Sequence, residues 1–156
     1  MTESVKLIKV KERIQADNDQ HAHDLRKELK AGKTLLINLM SSPGAGKTSL
    51  LLQTTGRLQD DYRMAVIEAD IDSVVDAERL AHSGVEAIQL QTGGFCHLDV
   101  PMVQQGLDSL DTHGLDLIFI ENVGNLVCPA EFDTGAALDV MILSVPEGDD
   151  KPCLLY

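Results

Sequence analysis

Aromatic side chains are scarce, at 3% of 156 residues with no tryptophan. A platform that stacks successive bases needs several aromatic faces, which argues against sequence-tolerant binding of single strands. Basic residues are scarce too. Thirteen Lys and Arg stand against 25 Asp and Glu, a formal net charge of −12, and the cationic face that follows a nucleic-acid backbone is missing. No apolar run reaches the roughly 18 residues of a membrane-spanning helix. The opening Met1-Thr2-Glu3-Ser4 has neither the basic start nor the apolar stretch of a secretory leader. Three cysteines, an odd number, do not make a disulfide framework. The expectation is a soluble cytoplasmic chain with no nucleic-acid and no membrane partner. In a reducing compartment Cys96, Cys128 and Cys153 are buried thiols, metal ligands or reactive groups.

What is present is ordinary globular material: 44% hydrophobic, 24% charged, and a length that fits one domain. Residues 4–31 carry Val5, Ile8, Ile14, Leu25 and Leu29 at loosely helical spacing, with Gly32 as a stop. The polar middle from Gln15 to Asp24 suggests an exposed or partner-covered helix. His21 and His23, two apart, do not share a helix face, so they read as solvated residues, with a weak auxiliary metal contact as the alternative. The pattern then changes. Short apolar runs at 35–40, 64–68, 87–90, 115–120 and 138–145 read as strands buried on both faces. Helical segments opening at Lys47, over 73–82 and over 99–110 lie between them, the last with Pro101 in its first turn. This alternation predicts a three-layer α/β fold with a mostly parallel sheet. An N-terminal helical extension would occupy residues 1–32 and the nucleotide domain residues 33–156.

The first strand runs into Ser41-Ser42-Pro43-Gly44-Ala45-Gly46-Lys47-Thr48-Ser49, and a helix follows. Strand, Gly-rich turn and Gly-Lys-Thr are the parts of a phosphate-binding loop. Glycines let backbone N–H groups turn onto phosphate oxygens, and the helix N-terminus adds partial positive charge. Lys47 is placed to reach the β- and γ-phosphates and the Thr48 hydroxyl to bind Mg²⁺. Ser41 stands where the general pattern has glycine. Two carboxylates at strand ends, Asp70 and Glu121, suit the metal ion and the water, with capping of the following segment by Asp70 or Asp72 as the plainer alternative. In Glu121-Asn122-Val123-Gly124 the Gly124 N–H is a candidate γ-phosphate sensor. Both acids lie at the carboxyl end of the sheet, where ligands bind in this class of fold.

A second chemistry follows the third strand. Cys96 and His97 offer a thiolate and an imidazole side by side, a pairing that borderline ions such as Zn²⁺ and Ni²⁺ favour. Cys128 follows the fourth strand on the same side. Two or three ligands leave a tetrahedral ion short by at least one, which a second chain would supply.

Several stretches together resemble the HypB family of nickel-incorporation GTPases of nickel–iron hydrogenase maturation. They are the loop 38–48, Asp76-Ala77-Glu78-Arg79, Cys96-His97-Leu98-Asp99, the run 119–129 with its Glu-Asn-Val-Gly-Asn-Leu-Val-Cys-Pro string, and Glu147-Gly148-Asp149-Asp150-Lys151-Pro152. The family also has serine at the position of Ser41. The resemblance implies GTP hydrolysis, Mg²⁺ at Thr48, Asp70 and Glu121, and Ni²⁺ or Zn²⁺ held by Cys96, His97 and Cys128 across a nucleotide-dependent homodimer. It also implies a HypA-type zinc-containing accessory protein as partner and the hydrogenase large subunit as an indirect one. Departures are Ala69, where most relatives have glycine, and an N-terminus without the cysteine cluster of some members. The 156 residues contain no Asn-Lys-x-Asp guanine-reading motif, and Cys153-Leu154-Leu155-Tyr156 does not resemble the family's continuation. The expectation is therefore a fold lacking its C-terminal edge. Three alternatives remain: the urease-type nickel GTPase, whose family carries Cys-Pro-His where Cys96 and His97 are adjacent here; a metal-binding protein without efficient turnover; and an ordinary P-loop kinase, which leaves the cysteines unexplained.

Overall fold

Apolar runs too short for helices become strands: Leu35–Ser41 (β1), Met64–Asp70 (β2), Glu86–Gln91 (β3), Leu117–Glu121 (β4) and Leu138–Ile142 (β5). In this computed structural model, which describes residues 10–70 and 75–148, they form one sheet in the order β3-β2-β4-β1-β5. All four neighbouring pairs are parallel, so the expected parallel character holds throughout. Alternation along each strand sends side chains to two faces. On one face Ala65, Ile67, Ile118 and Ile120 pack with Leu36 against the helices Val10–Ala31 (α1) and Val100–Asp108 (α4). On the other, Met64, Val66, Phe119 and Leu39 meet Leu51 of Lys47–Leu58 (α2) and Leu80 of Val75–His82 (α3). Each such large side chain buried contributes about 1.5–3 kcal/mol. The result is the three-layer α/β arrangement.

Several boundaries differ from expectation for local reasons. The fifth strand stops at Ile142 rather than 145, because Ser144 and Glu147 form a capping box around the turn Val145–Glu147. The fourth begins at Leu117 rather than 115, since the Leu115 N–H bonds back to Thr112 and the Asp116 N–H bonds to Arg63. The fourth helix opens at Val100, with the Asp99 carboxylate accepting from the Met102 N–H at 3.0 Å, and ends at Asp108. Parts of the helices expected over 4–31 and 73–82 lie outside the described residues, as do Asp72 and Cys153.

Most of the polar middle of α1, Gln15 to Asp24, is exposed as expected. Within it Asn18 and Ala22 turn inward and are buried in the chain itself, as is Leu25 just beyond it. Ala22 and Leu25 join the same core cluster as Leu36 and Ile118. His21 and His23 are exposed. No described helix is long and apolar enough to cross a membrane.

Candidate functional site

The loop after β1 is bent by two glycines in the left-handed region, Gly44 at φ +78° and Gly46 at +102°. A side chain at either position would be strained. Gly46 caps α2, so the first N–H groups of that helix open toward the loop, a ready anion site. Lys47 is buried, and its Nζ donates to Ser41 Oγ at 3.1 Å, while the Ser41 hydroxyl donates to the Ser42 carbonyl at 2.8 Å. The serine that breaks the general pattern therefore anchors the lysine.

The carboxylates arrive on neighbouring strands. Glu121, the last residue of β4, accepts a 2.6 Å hydrogen bond from Thr48 Oγ1, with both side chains buried. Asp70 ends β2. Register places Glu68 beside Glu121, and Glu68 is buried as well. Between these strand ends and the loop lies a cavity of about 450 Å³ lined by Pro43, Gly44, Gly46, Lys47, Thr48, Ser49, Asp70, Glu121 and Gly124. Of the residues expected at the nucleotide, only Ala45 is off its wall. Ala69, Asn122 and Val123 complete the wall together with two further charged residues of which no role was expected, Glu68 and Arg79. Glu68 lies two residues before Asp70, so the same alternation that points Asp70 at the cavity would have found it. Arg79 had no such signal, because its position depends on how α3 packs. A hydroxyl and carboxylates form the hard oxygen set that Mg²⁺ takes, with water and phosphate completing its shell.

Gly124 approaches the loop closely: a Cβ there would lie 3.1 Å from Pro43 Cγ. The turn before it is fixed by Asn122, whose Oδ1 accepts the Val123 N–H at 2.9 Å. Asn122 Nδ2 donates to Asn38 Oδ1 at 2.9 Å, and Asn38 Nδ2 donates to Asp139 Oδ1 at 2.8 Å. Both asparagines are buried, so a polar ladder runs from the end of β4 through β1 to β5. Buried amides of this kind persist only when hydrogen-bonded.

The same loop continues to Cys128. Asn125 pairs with Ser41 in an isolated antiparallel bridge, and its amide donates to Cys128 Sγ at 3.5 Å. The Cys128 thiol lies against that of Cys96; this contact, and burial after it, push it above the ordinary thiol range, while the Asn125 amide pulls it down. Two adjacent thiols disfavour a bare thiolate, and a divalent cation relieves that penalty, since it binds the deprotonated form. The His97 imidazole is stacked on Phe132, with ring centres 3.8 Å apart, and meets Phe95 edge-on. Burial holds its pKa below 6.5, opposed by Asp99 and Glu131. Among the described residues no three His, Cys, Asp or Glu side chains converge to hold a metal ion. Cys96 and Cys128 are brought together; His97 is held by aromatic contacts.

A parallel three-layer sheet with a phosphate loop at the carboxyl end of its first strand defines a P-loop nucleotide-binding domain. The chain belongs to the CobW/HypB/UreG nucleotide-binding domain family, whose profile matches residues 35–145. It is 48% identical over 147 residues to the hydrogenase maturation factor HypB of Azotobacter vinelandii, covering 94% of this chain and 48% of that protein. It is 45% identical over 150 residues to the hydrogenase/urease maturation factor HypB of Helicobacter hepaticus, covering 94% of this chain and 61% of that protein. The chain thus spans about half to three fifths of the length of these relatives. The crystal structure of HypB from Helicobacter pylori in complex with nickel superimposes with a TM-score of 0.79 at 40% identity, covering 88% of this chain and 65% of that one. HypB from Archaeoglobus fulgidus gives 0.77 at 38% identity, covering 86% and 66%.

Proposed function

We propose that the chain acts as a GTP-binding and GTP-hydrolysing nickel metallochaperone for nickel–iron hydrogenase maturation. One observation carries the reading: a single eight-residue stretch, 121–128, begins at the glutamate bonded to Thr48 and ends at the thiol lying against Cys96. A nucleotide site and a soft-metal site on one short stretch suit a protein that moves metal under nucleotide control. The printed names of the relatives support hydrogenase maturation, and one of them was crystallised with nickel. Lys47 binds the β- and γ-phosphates, the glycine-turned N–H groups of the loop cradle them, and Gly124 reads the γ-phosphate. Thr48, Asp70 and Glu121 would hold Mg²⁺, which supplies charge neutralisation at the phosphate oxygens. Ni²⁺ or Zn²⁺ is cargo at Cys96, His97 and Cys128, with a second copy of the chain completing the shell. A HypA-type accessory protein exchanges the ion, and the hydrogenase large subunit receives it indirectly, in the cytoplasm.

Turnover of GTP and metal binding, measured together, test this. Wild type should hydrolyse GTP with Mg²⁺ and bind Ni²⁺ or Zn²⁺. Cys96→Ala should lose the metal and the metal-driven part of dimerisation while nucleotide affinity is kept. Cys153→Ala should change neither. A Cys96 variant that binds metal and dimerises like wild type refutes the shared site. Metal binding without turnover would leave a metal-binding protein in place of an enzyme.

A further inference from the structure

The two thiols come from different loops, one between β3 and α4 and the other after β4. We infer that Asn18, on the N-terminal helix α1, is a positioning residue for the Cys96–Cys128 pair, one buried amide tying together the two loops that carry the thiols. The inference rests on the metal-site reading above. Asn18 is 6% exposed. Its Nδ2 donates to the Asp133 carbonyl at 2.7 Å, five residues beyond Cys128. Its Oδ1 accepts the Val100 N–H at 2.9 Å, four residues beyond Cys96 and at the first turn of α4, where that N–H has no partner within the helix. A side-chain amide presents a donor and an acceptor on one rigid head, so this one residue satisfies both loops.

The rest of α1 fixes Asn18 in place. The Arg26 guanidinium forks onto the Asp133 carboxylate and donates through Nε to the Ala136 carbonyl at 2.9 Å. Gly135, at φ +80°, packs so closely on Leu25 that a Cβ would lie 2.7 Å from Leu25 Cδ2. Immediately before the first of these anchors comes Phe132, stacked on His97. The helix therefore holds the segment after Cys128 directly, and holds His97 through Phe132. Removing the amide leaves the buried Val100 N–H and the part-buried Asp133 carbonyl without their partner; for a buried donor that penalty exceeds what the bond itself is worth. Metal sites tolerate ligand displacements of only about 0.2 Å, so loops released by a fraction of an ångström bind more weakly.

The test uses the 156-residue chain with Asn18→Leu and Asn18→Asp, beside Cys96→Ala. Asn18→Leu removes both polar atoms. Asn18→Asp keeps an acceptor for Val100 but sets a carboxylate against the Asp133 carbonyl, so it releases the Cys128 loop alone. In both, Zn²⁺ or Ni²⁺ affinity, read by competition with a chromophoric chelator, should fall tenfold or more, with affinity for a fluorescent GDP analogue within twofold of wild type. A second readout needs no metal: diamide takes two electrons and two protons from the facing thiols as the Cys96–Cys128 bond forms. That reaction should be at least tenfold slower in Asn18→Asp. Wild-type metal affinity or crosslinking rate in a folded Asn18 variant overturns the inference, as does nucleotide affinity that falls in parallel with metal affinity. If Cys96→Ala binds metal normally, the metal reading fails; the crosslinking rates still decide whether Asn18 holds the thiols together.

Discussion

Ser41 hands its hydroxyl to Lys47, so the lysine is held in the cavity by a neutral partner rather than an acid that would compete with phosphate. Lys47→Ala should therefore remove a charge-assisted contact outright. At about 1.5–3 kcal/mol for such a bond, nucleotide affinity should fall by tenfold or more in an equilibrium titration. Unchanged affinity would displace the site. His97 gives a pH signature. Burial against Phe132 keeps its imidazole neutral to a lower pH than in the unfolded chain, so the folded state binds fewer protons near pH 6.5. Its contribution to stability is present above that pH and is lost as pH falls from 6.5 through the lower folded value. An NMR titration should place its midpoint below 6.5, and Phe132→Ala, which re-exposes the ring beside Asp99 and Glu131, should move it upward. The places of Lys47, Thr48 and the strand-end acids on the cavity wall were legible because they follow from a local pattern. Asn18 was not, since its partners lie on other elements and nothing in a run of polar residues says which one is turned inward; Arg79 was not, since its place on the cavity wall depends on how α3 packs.

Elements were legible where hydrophobic spacing dominates. The run at 35–40 reads as a buried strand although it contains Asn38, because one amide hardly changes its character. That Asn38 meets Asn122 and Asp139 in a ladder depends on strand order, which spacing does not encode. The end of β5 was misread because a capping box outweighs three further residues of strand-like composition. The start of α4 rests on one visible cap. Asp99→Ala should cost about 0.5–2 kcal/mol and lower the melting temperature. Because α4 carries Val100, whose N–H is bonded by Asn18, the same change should also weaken metal affinity; a lowered melting temperature with metal affinity intact would uncouple cap and thiols. The turn at Gly124 gives a sharper test. Gly124→Ala puts a methyl 3.1 Å from the phosphate-loop proline, so the loop must move to admit it. Nucleotide affinity should drop while the melting temperature of the nucleotide-free chain changes little.

Across the whole molecule, base choice is the least determined property. The 156 residues hold no Asn-Lys-x-Asp, the pattern that pairs with guanine's edge. Strong rejection of an analogue needs buried polar groups that it leaves unpaired. The 156-residue chain should therefore prefer GTP over ATP by less than about a hundredfold, or 2.7 kcal/mol, in competition binding. Strand order has a consequence for how the protein comes into being. β1 and β2 do not pair with each other; β4 lies between them, with Leu39 and Glu68 both in register with Glu121. A ribosome releases the phosphate loop early, but the strand that joins the two halves of the sheet, and the glutamate that Thr48 bonds, emerge more than seventy residues later. Long-range pairings of this kind fold slowly and leave intermediates exposed. A nascent chain stalled before residue 117 should remain sensitive to protease and blind to nucleotide, and both properties should change together once β4 has cleared the exit tunnel.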